Sequence, residues 1–523
     1  MRGIYDRRLP DGTLSRLKER PLANGLLTPS ADRIPTGLET TSATATGTSA
    51  SSAARGTHAL REKPMKPKQA AALIVAWAMV QVFCMSPATA QDPPFNYVWA
   101  RAFHIPPETT TEESGYFSLC EGRNGKIYLG TAAYGRNSYL VEFDPATEKM
   151  RIVLDTHKLI GLPLTPTGYA AQSKLHTRNF VGASGKIYVG SKQGYPTAAE
   201  NEALKRGERI PTYRGGYVMV YDPATGTAEN LGMPMPLDDR QVASGKKEGQ
   251  GVIDVTADES RGLIYVITCE EQHWLLYDVK TRNYRELGPI LRDQPNTLID
   301  ARGRGTAITE DFQIARYDPA TDKVTVVPLL VEGKPFASCL GAKRVHPDWR
   351  ITPDGKTAYL QLLNDFRMFR VDLTGATGQP VVATNLGARI KGDNPDSRGS
   401  ISLGPDGRVY SATRIDNKTG FGKGFLHHLV RYDPETGSMD DLGVFAVKNP
   451  DFFNFAAGPG KNPDGTPRPI HGYHTLPDDT LTPLHVIMAL IVTRDGTIYS
   501  TTIFRFSLLK IETVPASRRA PAA

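Results

Sequence analysis

From residue 95 to residue 512 the apolar positions fall in short runs, each cut off by a glycine turn or an Asp-Pro pair, and the arrangement repeats. The unit is a Gly-containing tight turn, a short strand ending near Tyr, a loop, and a strand that runs into Tyr-Asp-Pro-x-Thr-Gly or a relative. Asn124-Gly125-Lys126-Ile127-Tyr128 with Tyr139 to Pro145 is the first copy, and Gly185-Lys186-Ile187-Tyr188 with Val218 to Pro223 the second. Gly262 to Tyr265 with Leu275 to Asp278, Gly303 to Ile308 with Ile314 to Pro319, and Asp354 to Tyr359 with Phe369 to Asp372 follow. Asp406 to Tyr410 with Leu429 to Pro434, and Asp495 to Tyr499 with Leu508 to Ile511, complete the series. Gly supplies positive φ and Pro fixes the first turn dihedral, so both punctuation marks suit hairpins. With an apolar strand before each Gly turn and another after each Asp-Pro, every copy reads as four antiparallel strands.

Seven such copies predict an all-β chain, a seven-bladed β-propeller of four-stranded antiparallel blades over residues 91–515 with a disordered tail at 516–523. The chain resembles the secreted NHL/YncE/WD40-like propellers. Phe95 to Phe103 is expected to add the strand that completes the last blade and hides its edge.

The N-terminal ninety residues read differently. Met65-Lys66-Pro67-Lys68, the apolar run Ala70 to Cys84, and Ser86-Pro87-Ala88-Thr89-Ala90 form a cleavable secretory signal over 65–90. The run is short for a bilayer span, so a mature chain without a transmembrane segment, secreted or periplasmic, is expected. Residues 1–64 are either a disordered extension or a mis-assigned start, the second being favoured because a signal belongs at the N-terminus. The formal charge of +7 suggests an acidic partner, but the first ninety residues hold 12 of the 62 Lys+Arg and only 6 of the 55 Asp+Glu. The rest is nearly neutral, and no nucleic-acid partner is expected. Cys120, Cys269 and Cys339 remain after the leader, with no CxxC, so at most one disulfide could form.

With Gly turns at one end of each unit, the long connections Ser191 to Gly216, Gly232 to Gly249 and Ala446 to Leu484 lie at the other, which makes that face the candidate functional one. Counting nine residues back from the turn Gly, in the units where the spacing holds, places Tyr116, His176, Gln294, His346 and Arg398 at one level beside the axis. Gln250 lies near the equivalent point and His485 two residues from it. A ring of imidazole, amide, phenol and guanidinium can transfer protons or hold a metal, although polar residues also line propeller axes with no chemical duty. His471-Gly472-Tyr473-His474 with His485 forms a candidate set for a divalent metal ion, the one cofactor the sequence suggests.

The ring resembles the mouths of propeller polysaccharide lyases of the oligogalacturonate and ulvan type. The resemblance implies β-elimination of a uronate-containing extracellular carbohydrate. His176 or His346 would be the base, Tyr116 or another mouth tyrosine the acid, and Arg398, Arg178 or Arg350 the carboxylate partners, with Gln250 and Gln294 binding substrate. His471, His474 and His485 would be the metal ligands. A non-catalytic glycan- or protein-binding propeller and a metal-dependent lactonase-like hydrolase are the alternatives, in each case as a monomer.

Overall fold

The computed structural model describes residues 92–513 apart from 112, 163–167, 247, 294–295, 341–345, 449–472, 484–486 and 504–505. The leader at 65–90, the stretch 1–64, the tail at 516–523, and Gln294, His471 and His485 lie outside the described residues.

Within larger sheets joined by further pairings, most of the described strands fall into four-stranded antiparallel units, here lettered A to D from the axis outward. The first is Glu113–Glu121, Ile127–Ala132, Tyr139–Asp144, Lys149–Asp155. The second is Phe180–Val181, Ile187–Lys192, Val218–Asp222, Thr227–Asn230. The third is Val252–Asp258, Leu263–Thr268, His273–Asp278, Asn283–Ile290. The fourth is Leu298–Ile299, Gly305–Ile308, Gln313–Asp318, Lys323–Val331. The fifth is Pro347–Ile351, Thr357–Leu362, Arg367–Asp372, Val381–Ala388. The sixth is Ile401–Leu403, Val409–Asp416, Phe425–Tyr432, Met439–Val447. The seventh takes Ala489–Val492, Ile498–Thr502 and Ser507–Thr513 from the end of the chain and its D strand, Tyr97–His104, from the beginning. That N-terminal strand also runs parallel to the sixth unit's D strand, Tyr97 opposite Val444, so both of its edges are paired.

The units close into a ring. Ser118 Oγ donates to Asn179 Oδ1 at 2.6 Å, Arg178 and Asp254 bridge through their backbones, and Thr297 N–H donates to Asp254 at 3.1 Å. Trp349 Nε1 donates to the Asn296 carbonyl at 2.8 Å, Gln361 to the Ser397 carbonyl at 3.0 Å, and Gly399 bridges Ala489. Arg494 Nε to Glu121 at 3.1 Å returns the circuit to the first unit. The recurrent tyrosine has its physical reason here. A B-strand tyrosine meets a C-strand aromatic of the next unit in the pairs Tyr128–Tyr221, Tyr265–Tyr317, Tyr359–Tyr432 and Tyr499–Phe143, with ring centroids about 6 Å apart. The apolar clusters lie between neighbouring units in the same way, Tyr128 and Leu140 of the first with Ile187, Val189 and Met219 of the second. This is a β-propeller, and it matches the repeat read from the sequence.

Polar bolts reinforce some seams. Arg389, wholly buried between the fifth and sixth units, donates to Gln361, Ser397, Ser411 and Thr413 side chains and to the Leu362, Asp365 and Phe366 carbonyls. Arg389→Met fills similar space but orphans those acceptors. It is expected to cost about 3 kcal/mol in urea denaturation, and a loss under about 1 kcal/mol would count against the bolt.

Candidate functional site at the axis

The strand that opens the first unit is broken. Its register shifts between Ser114 and Leu119, and Tyr116 sits there with φ +64°, a left-handed conformation that a bulky side chain adopts only under constraint. Consecutive aromatic side chains, Tyr116 and Phe117, both pack against His176 of the second unit, at ring-centroid distances of 4.8 and 5.8 Å. Phe117 also reaches the sixth unit, where it fills the space that a Cβ on Gly399 would need. The bulge therefore stoppers the axis, and Tyr116, Phe117 and His176 are all buried.

Around this stopper, toward the long loops, lies a cationic and phenolic cluster. Lys174, paired to both Ala132 and Lys192 at the joint between the first two units, places its ammonium 4.4 Å from the Tyr116 ring, 4.6 Å from Tyr134 and 5.3 Å from Tyr195. Lys192 Nζ lies 2.8 Å from both Cys269 Sγ and a Glu270 carboxylate oxygen. The loop Ser191 to Gly216 contributes the helix Ala198–Lys205, fixed by a Thr197/Glu200 capping box, and Glu200 also accepts from the Tyr169 N–H. Burial first, then the Lys192 and Lys174 charges, holds the His176 imidazole well below the ordinary histidine value. It is neutral across the physiological range, and its Nδ1 has no hydrogen-bond partner.

One step further along the same strand faces is a charged quartet. His176 and Arg178 are two residues apart, as are His346 and Asp348, so each pair shares a face. Arg178 Nη2 meets Asp348 Oδ1 at 2.8 Å, linking the second unit to the fifth, and Arg350 Nη1 meets the same oxygen at 2.9 Å. Two of the three arginines named as carboxylate partners, Arg178 and Arg350, are thus held by one buried aspartate. The other Asp348 oxygen and Arg178 Nε are buried without a hydrogen-bond partner. Asp254 completes the quartet. Burial pushes its carboxyl up to about 7, against the pull of the Thr297 N–H and Arg178. Burial and Arg178 pull Arg350 down to about 10.

The sign of the Asp254 effect follows from the raised value. The stability it contributes is complete below the ordinary carboxyl value of 3.8 and is lost as pH rises through about 7. Asp254→Asn, which mimics the protonated form, is expected to be more stable than the wild type at pH 8 and to differ little at pH 4. Urea midpoints at the two pH values check this, and an equal offset at both would refute it.

The remaining expected residues fall as follows. Gln250 is buried and accepts the Glu271 N–H at 3.0 Å. His346 Nδ1 lies 3.3 Å from Asp293, and Arg398 Nε 3.5 Å from Asp396. The structure brings Tyr116 and His176 into contact, and Arg178 with Arg350 through Asp348. His346 and Arg398 pair with carboxylates of their own neighbourhoods. His474 donates from Nε2 to the Phe425 carbonyl at 3.2 Å, and burial lowers its pKa. Among the described residues no three His, Cys, Asp or Glu side chains cluster as a metal set. Cys120, Cys269 and Cys339 are all unbridged thiols. Lys174, Lys192, Asp254 and Asp348 were missed by the sequence reading. The signal for Asp348 and Asp254 was the two-residue alternation, since they follow His346 and Gln250 by two and four positions.

No family model matches the chain, and no curated protein does. Solved structures do resemble it. The extracellular domain of a proposed hybrid two-component system from B. thetaiotaomicron aligns with 79% of this chain at 12% identity and a TM-score of 0.43, and this chain spans only 39% of its length. The β-propeller domain of Cps50 (Swd1) from Myceliophteria thermophila aligns with 80% of this chain and all of its own at 10% identity and a TM-score of 0.42. The WD40 repeats of RRP9 align with 80% of this chain and 99% of theirs at 8% identity and a TM-score of 0.44. No helix among the described residues is long and apolar enough to cross a membrane. The strand pairing and the closed circuit of contacts around the axis make this chain a β-propeller.

Proposed function

We propose that the chain acts on an anionic carbohydrate, a uronate-containing poly- or oligosaccharide, by β-elimination at the long-loop end of the axis. One observation carries the reading: a buried imidazole, His176, kept neutral and open at Nδ1, lies against the phenol ring of Tyr116 with Lys174 beside both. Elimination needs those three parts. A neutral base removes the C5 proton, an acid protonates the leaving oxygen, and a cation offsets the charge that builds on the uronate carboxylate. His176 takes the first role, Tyr116 the second, and Lys174 the third. Arg178 serves behind them, since Asp348 already holds its Nη2. The leader pattern at 65–90 supports a secreted or periplasmic setting.

A second reading, a propeller that binds an anionic glycan or protein without turning it over, is favoured by the stopper. Tyr116 and Phe117 are each 6% exposed and His176 4%. Incubating the purified chain with a panel of uronate polysaccharides, while following absorbance of the unsaturated product, separates the two. Product from at least one member is expected. Saturable binding without product would leave the second reading in place of the first.

A further inference from the structure

Lys192 and Cys269 stand out from the surrounding ion pairs. Lys192 ends the second unit's B strand and Cys269 follows the third unit's B strand, so the pair spans a seam. Nζ and Sγ are 2.8 Å apart, closer than an ammonium and a thiol need to be for a hydrogen bond. The approach is built in from several sides. Cys269 N–H donates to the Gly251 carbonyl at 2.8 Å, and a Cβ on Gly251 would come within 2.7 Å of the Lys192 Cβ, so glycine leaves room for the lysine stem. Glu270, held at φ +76°, accepts from Gly251 N–H at 3.0 Å with one oxygen and from Lys192 at 2.8 Å with the other. A carboxylate is therefore in contact with the ammonium that faces the sulfur. Cys269 is 8% exposed and the Lys192 side chain 18%, so a molecule the size of peroxide can reach the pair from the lysine side.

We infer that Lys192 and Cys269 form an oxidative cross-link, a single oxygen bridging nitrogen and sulfur, when the protein meets hydrogen peroxide. The separation matches that bridge with little movement of either strand, whereas a direct nitrogen–sulfur bond would require a much closer approach. In the first step the Cys269 sulfur attacks one peroxide oxygen, the O–O bond breaks, and sulfenic acid and water form. As the O–O bond breaks, the leaving hydroxide takes a proton from the Lys192 ammonium to become that water, and the S–H proton, acidic once the sulfur bears oxygen, passes to Glu270. The free amine and the sulfenic acid then consume a second peroxide, which takes two electrons from nitrogen, and the N–O bond closes with release of two waters. Across the two steps thiol, amine and two peroxides become the bridge and three waters. Burial pushes the Cys269 thiol up to about 12, which makes the first step slow and selective for sustained exposure. The bridge removes the Lys192 charge and fastens the second unit to the third.

The test treats the full chain with hydrogen peroxide, alkylates it in denaturant and maps its peptides by mass spectrometry. The expected product is a peptide pair joined through Lys192 and Cys269, heavier than the two unmodified peptides together by about 14 Da, and released by excess dithiothreitol. The thiols titrated in denaturant fall by one from the four in the sequence. Lys192→Arg, which keeps the charge and the ion pair but lacks the amine, is expected to give Cys269 sulfinic or sulfonic acid and no joined peptide. A wild-type chain that gives the same acids without a joined peptide, or that retains an unmodified Cys269 after prolonged treatment, would overturn the inference. So would an equal yield of joined peptide from Lys192→Arg. None of these readouts depends on carbohydrate turnover, so the inference stands or falls apart from the proposed activity.

Discussion

Asp348→Ala is expected to destabilise the protein by about 3–5 kcal/mol, read from the shift of its urea midpoint at neutral pH. In the wild type one oxygen of this carboxylate holds Arg178 at 2.8 Å and Arg350 at 2.9 Å, and Asp348 itself is 2% exposed. Removing it leaves two guanidiniums of like charge inside the ring beside Asp254. The loss is one of unpaired buried charge, so it should be relieved by removing the cations as well. Asp348→Leu combined with Arg178→Met is expected to recover at least half of the stability lost by Asp348→Leu alone. Added sulfate should also rescue Asp348→Ala more than it stabilises the wild type, because an anion can occupy the vacated place. A single variant that unfolds no earlier than the wild type would show that the second and fifth units are not coupled through this residue.

The second large effect concerns the proposed base. His176→Ala is expected to lower kcat on a uronate substrate by about 10²–10⁴-fold with a much smaller change in KM, the usual range for losing a general base. The pH profile carries more information than the magnitude. Since burial and two lysines hold the imidazole well below the ordinary histidine value of about 6.5, the wild-type rate should stay flat as pH falls through that value. A rate that halves near it would mean that a different group removes the proton. Lys192→Gln takes away one of the charges facing His176, and it is expected to move the acid limb of the profile upward. A purely structural role for Lys192 would leave the profile where it is.

The B and C strands were legible because each is bounded by a residue with a conformational reason to be there. Gly125, Gly185, Gly262, Gly303, Gly355, Gly407 and Gly496 all have positive φ, as the turns required. The closing strand was also legible, Tyr97–His104 overlapping the expected Phe95 to Phe103, because the last blade needed one more strand to complete it and hide its edge. Inner strands such as Phe180–Val181 and Leu298–Ile299 are only two residues long, and no periodicity can be read from so few positions. For the site, spacing from the turn glycines brought Tyr116 and His176 out of the sequence, but not the bulge that turns Tyr116 toward His176. A left-handed tyrosine is imposed by packing around it and has no signature of its own. Asp348 could have been found by following each strand face two residues further. Lys192 and Cys269 could not, since 77 residues separate them and their meeting depends on how two units pack side by side.

The most direct measurement is the proton NMR spectrum of an oligouronate after incubation with the purified chain. The account predicts a vinylic signal from a C4–C5 double bond at the new non-reducing end, present with the wild type and absent with His176→Ala at equal folded concentration. Saturated reducing ends without that signal would indicate hydrolysis, and an unchanged saccharide whose resonances broaden on binding would indicate a binding module. Either result would contradict β-elimination at His176.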